Sequence, residues 1–169
     1  VLAPYGTALR TVPGGSSRAD SVRRGLGAVR PNAANILVHD AARAFAPVDL
    51  YQRVIQALDR GQAAAVIPAL AVTDTICVVE PGAQDGTEYI EHTPARSTLR
   101  AVQTPQGFNA SVLRQAHAQL DHYTEAELEK VTDDDSIVRA YGEKVQVVAG
   151  AQQALKVTHP EDLDTVNQL

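Results

Sequence analysis

The chain has 169 residues, 44% hydrophobic and 21% charged, with a formal net charge of −5. This composition supports a single domain with a real core, excludes a disordered chain as the default and argues against a nucleic-acid binder. Cys77 is the only cysteine, which excludes an intrachain disulfide and a thiolate zinc site. No run approaches the roughly 18 apolar residues of a membrane span, and the first residues lack a signal pattern. The expectation is therefore a cytoplasmic protein with no membrane or nucleic-acid partner.

Residues 1–3 read as the tail of a strand. Thr11-Val12 reaches a turn at Gly14-Gly15-Ser16-Ser17, and Val22, Leu26 and Val29 then recur at helical spacing behind Ser17 and Asp20. Ile36, Leu37 and Val38 read as a strand covered on both faces, with Asp40 at its carboxyl end and Arg43 three residues on. Ligands bind at that edge of open parallel sheets, and an acid beside a cation can hold a metal-bound phosphate and a second anion. The plain alternative is that Asp40 forms a turn and Arg43 is solvated. Pro47 and Asp49 open a helix whose apolar face is Leu50, Val54, Ile55 and Leu58; Gly61 ends it, and residues 63–68 read as the next strand.

From residue 74 to about 98 the pattern changes. Residues 75–79 and 89–90 read as two strands around a turn at residues 81–86, with little apolar area to hold them on a core. A two-stranded arm alone is marginally stable, so a second subunit is its natural partner. Thr104-Pro105-Gln106-Gly107-Phe108 follows, as a turn or as a wall of a crevice to which Thr104 and Gln106 offer polar groups. Asn109 caps a helix carrying Val112, Leu113, Ala116 and Leu120, and Ile137, Val138 and Tyr141 form another behind Thr132. Asp133-Asp134-Asp135 suits that helix's amino terminus, or a magnesium role if one of them faces a pocket. Residues 145–148 read as a strand ending at Gly150. Lys156 sits between apolar neighbours on a short strand, as an outward lysine or one that neutralises phosphate. Thr158-His159-Pro160-Glu161-Asp162 opens the last helix. The alternation as a whole points to parallel strands joined by helices. Arg18, Arg23, Arg24, Arg43, Arg96 and Lys156 are cations that can converge on a small anionic ligand despite the acidic net charge. The five histidines form no metal-binding pattern.

In combination, Gly14 to Val22, Val38-His39-Asp40-Ala41-Ala42-Arg43, Asp74-Thr75, Thr104 to Phe108, Thr132-Asp133-Asp134 and Lys156-Val157-Thr158 resemble the 2-C-methyl-D-erythritol 4-phosphate cytidylyltransferases. The resemblance covers essentially the whole chain. It implies one α/β nucleotidyltransferase domain over residues 1–169, with a Rossmann-like, mostly parallel sheet, helices on both faces and a protruding β-hairpin arm at about 74–98 through which a homodimer forms. It also implies a magnesium-dependent transfer of CMP from CTP to a sugar-alcohol phosphate. Lys156, Asp40 and Arg43 would be catalytic, and Asp40 a possible metal contact. Gly15, Ser16, Ser21, Asp40 and Thr104 would contact the nucleotide. Arg43, Thr132, Thr75 and Arg96 would hold the sugar phosphate, the last two from the neighbouring subunit. Ser16 replaces an acid common in the family, and Ala44 a proline. The family's opening strand, arginine-bearing glycine loop and Pro-Lys pair have no counterpart after Val1, so the expectation is an N-terminally incomplete domain whose activity depends on that segment. Two other readings stand beside this one: a ribitol 5-phosphate cytidylyltransferase, and a non-catalytic dimerisation or regulatory fragment.

Overall fold

The structure, a computed structural model, describes residues 9–83, 85–124, 131 and 133–166. The expected strand tail at residues 1–3 and the candidate Thr132 lie outside these.

Helix α1 (Arg18–Ala28) begins where the Ser17 hydroxyl accepts the Asp20 N–H, and it buries Leu26. Strand β1 (Asn35–Val38) stops two residues short of Asp40. Helix α2 (Val48–Asp59) buries Leu50, Val54, Ala57 and Leu58. Ile55, expected on that face, is instead 39% exposed, because the buried stripe turns through Ala57. Then come β2 (Ala65–Ala71), β3 (Val78–Pro81), β4 (Glu88–His92), β5 (Arg100–Val102) and β6 (Gln106–Asn109). Asn109 caps helix α3 (Ala110–Gln119), its side-chain Oδ1 accepting from the Ser111 and Val112 N–H groups. Helix α4 (Asp134–Ala140), β7 (Val145–Ala149) and α5 (Pro160–Val166) follow. The Asp162 carboxylate accepts from the Thr158 and His159 N–H groups, as the capping spacing implies.

The main sheet corrects the expectation of mostly parallel strands. β1, β2 and β7 run one way, but β6 lies antiparallel between β1 and β2, and among the described residues only β2 and β7 pair directly in parallel. β5 continues the β6 edge, antiparallel to β2 at Ala69–Ala71, after a break at Gln103–Pro105. Thr104 to Phe108 read in sequence as a turn or a crevice wall, because proline and glycine are poor strand formers. The fold uses both. A Cβ at Gly107 would lie 2.5 Å from Val54 Cγ1 and 2.6 Å from Leu58 Cδ1, so the missing side chain lets α2 press onto the strand. Its neighbour Phe108, fully buried, points to the other face.

Alternation divides the core into two layers. Ile36, Ala65 and Phe108 pack with Leu26, Leu113, Ala116, Ile137 and Val138 from α1, α3 and α4. Val66 packs with Val54, Ala57 and Leu58 of α2, so helices cover both faces.

The arm forms as a separate two-stranded sheet whose second strand contains the expected residues 89–90 and whose first begins three residues later than the expected Thr75. Its strands cover 78–81 and 88–92, leaving Thr75, Ile76 and Cys77 outside them, and every strand residue is exposed. The short strand expected around Lys156 is absent. A tight turn at Gln152–Ala154 precedes the lysine, and single hydrogen bonds take the place of a ladder. Among the described residues no helix is long and apolar enough to cross a membrane.

Candidate active site

The carboxyl ends of β1, β2 and β7 open on one edge of the sheet, and the charged residues gather there. The Asp40 N–H donates to Thr104 Oγ1 at 3.0 Å, and that hydroxyl lies 2.9 Å from His39 Nδ1. The His39 ring leans on Tyr51 of α2, with centroids 5.3 Å apart. Burial pulls the His39 pKa below its ordinary value, against an opposing hydrogen bond with the Arg43 main chain. A neutral ring accepts the Thr104 hydroxyl proton, which leaves the oxygen to receive the Asp40 N–H. Thr104 thus aims Asp40.

Three cations surround the Asp40 carboxylate. Lys156 Nζ is 3.7 Å from Oδ2, Arg43 Nε 3.9 Å from Oδ2, and Arg18 Nη2 3.9 Å from Oδ1. These distances are ion pairs without direct hydrogen bonds, so the carboxylate does not saturate its neighbours. Arg43 is pinned from behind, donating to the Ala154 carbonyl at 2.7 Å and the Val102 carbonyl at 3.3 Å. Burial pulls its guanidinium below the ordinary value, with Asp40 opposing, and an arginine so placed stays charged. Arg18 is anchored too. Its Nη1 donates at 2.6 Å to Asp134, a fully buried carboxylate whose other oxygen lies 2.9 Å from His117 Nε2. With Arg18 held by Asp134 and close to Asp133, Lys156 and Arg43 around the single Asp40 carboxylate keep a local positive excess at this edge of an acidic protein, the condition for receiving an anion.

The glycine turn lies at the start of α1, beside Arg18. Its expected donors are engaged within the turn: the Gly15 N–H donates to Ser21 Oγ at 2.9 Å and the Ser16 N–H to Asp20 at 3.1 Å. Arg23 and Arg24, which the sequence allowed into the cationic group, pair with Asp20 and Asp121 instead. Arg96 donates to the Thr73 carbonyl at 2.8 Å, which places it near Thr75 at the base of the arm. Among the described residues, no hydrogen bond or ion pair joins Arg96 or Thr75 to the Asp40 group.

The residues after Thr132 carry a perturbed carboxyl pair. Burial raises Asp133, but hydrogen bonds from Asp135, Gln106 and the Ser136 main chain, with Arg18 nearby, outweigh it and hold the group below its ordinary value. Burial and the proximity of Asp133 push Asp135 up to about 6. Since the folded state binds the Asp135 proton more tightly than the unfolded state, this group's contribution is most favourable below pH 3.8 and is lost as pH rises through about 6. Asp135→Asn removes the carboxyl–carboxylate conflict. We expect it to raise the thermal midpoint at pH 7.5 by roughly 2–4 °C, equivalent to about 1 kcal/mol, and to leave it unchanged near pH 4. Calorimetry of both proteins across that range checks this.

Among the described residues no three His, Cys, Asp or Glu side chains cluster as a metal cage. Among the described residues, Asp40 is the carboxylate that Lys156, Arg43 and Arg18 share at this edge. That donor set suits magnesium, which keeps several waters and binds through one or two carboxylates together with substrate phosphates.

The family model for 2-C-methyl-D-erythritol 4-phosphate cytidylyltransferase matches residues 2–168. The chain belongs to this family. It is 48% identical over 161 residues to the 2-C-methyl-D-erythritol 4-phosphate cytidylyltransferase of Streptomyces avermitilis, covering 95% of this chain and 61% of that protein. It is 50% identical over 153 residues to that of Rhodococcus jostii, covering 90% and 61%. The chain thus spans about three fifths of the length of these curated relatives. The crystal structure of 4-diphosphocytidyl-2C-methyl-D-erythritol synthase from Anaerococcus prevotii superimposes with a TM-score of 0.83 at 31% identity, over 99% of this chain and 70% of that one. The crystal structure of the Thermus thermophilus cytidylyltransferase gives 0.76 at 37% identity, over 93% and 70%.

Within this cytidylyltransferase-family chain, the sequence reading missed the support behind the charged residues. Arg18 was one of six candidate cations with nothing to single it out. Asp134 was one of three successive acids, and only packing decides which of them is buried. His117 did carry a signal, since it falls with Leu113, Ala116 and Leu120 on the buried stripe of α3.

Proposed function

We propose that the protein carrying this chain transfers CMP from CTP to the phosphate of 2-C-methyl-D-erythritol 4-phosphate, giving 4-diphosphocytidyl-2-C-methyl-D-erythritol and pyrophosphate in isoprenoid precursor synthesis. The single observation that carries the reading is the Asp40 carboxylate ringed by Lys156, Arg43 and Arg18 at the carboxyl ends of the strands. The names of the matched relatives support the same substrate.

The chemistry is an in-line displacement. A phosphate oxygen of the sugar phosphate forms a bond to the α-phosphorus of CTP, and the bond from that phosphorus to the bridging oxygen breaks as pyrophosphate leaves. Both reactants are anions, so charge neutralisation and alignment are the main demands, and no covalent nucleophile is needed. Asp40 would hold a magnesium ion, which when bound would neutralise part of the phosphate charge. Lys156 stabilises the charge on the transferring phosphoryl group, and Arg43, held on two main-chain carbonyls, receives the sugar phosphate without having to be ordered first. Gly15, Ser16, Ser21 and Thr104 frame the nucleotide. Thr132 meets the methylerythritol. Thr75 and Arg96 reach the substrate phosphate of a second subunit, docked through an arm that exposes Val79, Tyr89 and Ile90 at 43%, 60% and 67%. The protein works in the cytoplasm.

Incubation with CTP, magnesium and 2-C-methyl-D-erythritol 4-phosphate tests the assignment. Pyrophosphate release with a new diphosphate signal in phosphorus NMR is the expected result. Product from ribitol 5-phosphate alone would transfer the assignment to that substrate, and no CTP binding or product with either would sink it.

A further inference from the structure

Gln103 lies in the break between β5 and β6, is 5% exposed, and carries no role in the site described so far. Its main-chain N–H donates to the Pro68 carbonyl at 2.8 Å. Its side chain turns across to the segment that follows β7. Oε1 accepts the Ala151 N–H at 2.9 Å, and Nε2 donates to the Ala151 carbonyl at 2.9 Å and reaches the Ala154 carbonyl at 3.4 Å. The amide therefore pairs with Ala151 as one peptide unit pairs with another, just past the point where the β2–β7 ladder ends at Ala149. Gly150 makes room for it: a Cβ there would lie 2.4 Å from Gln103 Oε1 and about 3 Å from the Ala69 main chain.

The same segment is tied at its other end to the loop that carries Asp40. The Ala154 carbonyl accepts from Arg43 as well as from Gln103, and the Val157 N–H donates to the Ala42 carbonyl at 2.9 Å. Lys156 stands between these ties with its ammonium 3.7 Å from Asp40. A lysine reaches its target on a flexible four-carbon stem, so the place of its ammonium depends on where its main chain is held. A misplacement of about 1 Å at a reacting centre can cost about 10²-fold in rate.

We propose that Gln103 is a positioning residue for Lys156, holding the chain after β7 against the Asp40 loop so that the ammonium meets the transferring phosphate. The rate consequence rests on the function proposed above, whereas the mechanical part does not.

Gln103→Met keeps length and volume but removes both amide contacts. Amide hydrogen exchange on the intact protein, with no substrate present, reads the mechanical part. Exchange at Ala151 and Val157 is expected to rise by about tenfold or more, with amides in the middle of β2 unchanged. An unchanged Val157 would overturn the proposal, because the tie to the Asp40 loop would then be independent of Gln103. Kinetics with CTP and 2-C-methyl-D-erythritol 4-phosphate read the consequence. Gln103→Met is expected to lower kcat by about 10- to 100-fold while both KM values stay within about threefold. In a Lys156→Ala background the same change is expected to cost less than about threefold, since residues acting through one another are not additive. An equal loss in both backgrounds, or a KM rise at unchanged kcat, would overturn it. If the wild-type protein makes no product, the functional assignment fails while the exchange result still decides the positioning. Gln103→Glu, which keeps the acceptor for Ala151 and loses the donor to both carbonyls, serves in the same measurements if the methionine variant does not fold.

Discussion

Lys156→Ala should lower kcat about 10²–10³-fold, the equivalent of about 2.7–4 kcal/mol of transition-state stabilisation, with KM for either substrate within about threefold. The lysine is 49% exposed and its only described ion pair is with Asp40 at 3.7 Å, so its ground-state contribution is small and the fold does not depend on it. Its effect is concentrated where charge moves, on the phosphoryl group passing between two anions. Steady-state kinetics with each substrate varied in turn separate the cases. A rise in KM at unchanged turnover would mean that Lys156 only binds, and the role proposed for it would be wrong. Far-ultraviolet dichroism and the thermal midpoint should match the parent, so that the loss cannot be attributed to unfolding.

The second large effect is on stability. Asp134→Ala removes the one carboxylate that receives both Arg18 at 2.6 Å and His117 at 2.9 Å, and it does so where Asp134 is fully buried and His117 is 2% exposed. His117 Nδ1 already lacks a partner, so the ring would be left with none. Breaking a buried pair by removing one member costs about 3–5 kcal/mol. Arg18, 36% exposed, can turn to water, which puts the expected loss near the lower end, about 3 kcal/mol. For a domain of this size that corresponds to a fall of roughly 6–12 °C in the thermal midpoint. A fall below about 2 °C would show that the buried carboxylate is not holding α1 to α4. The variant also releases the anchored edge of Arg18, so substrate affinity should weaken along with stability.

Much of the site was legible because its residue types are costly anywhere else. An acid directly after an apolar strand, with an arginine three residues on, and a lysine between apolar neighbours are placements that solvent or a ligand must compensate. Asp40, Arg43 and Lys156 accordingly meet. The glycine turn before α1 was legible from its cap, and Ser17 and Ser21 close it as their spacing suggests. The arm was legible in kind and in its second strand, but its first strand begins three residues later than expected, since a strand without a buried face has no apolar alternation to fix its start. Direction in the sheet was not legible. Residues 100–109 carry proline and glycine where a central strand is not expected, and their strand exists because Gly107 admits α2 while Phe108 fills the opposite layer.

The sequence by itself determined the alternating helices and strands, the two-sided apolar cover, the capping residues, the charged types at the strand ends and the family. These follow from periodicity, capping chemistry and ordered motifs, all of which act over a few residues. Only the tertiary structure decided that β6 runs antiparallel between β1 and β2, and that Arg18 rather than Arg23 or Arg24 joins the Asp40 group. It alone decided that Asp134 is the fully buried acid of its run and that Gln103 pairs with Ala151 in the segment before Lys156. Those outcomes depend on partners 17 to 116 residues away, and a buried polar group takes whichever partner packing brings within about 3 Å, a distance that no local pattern encodes.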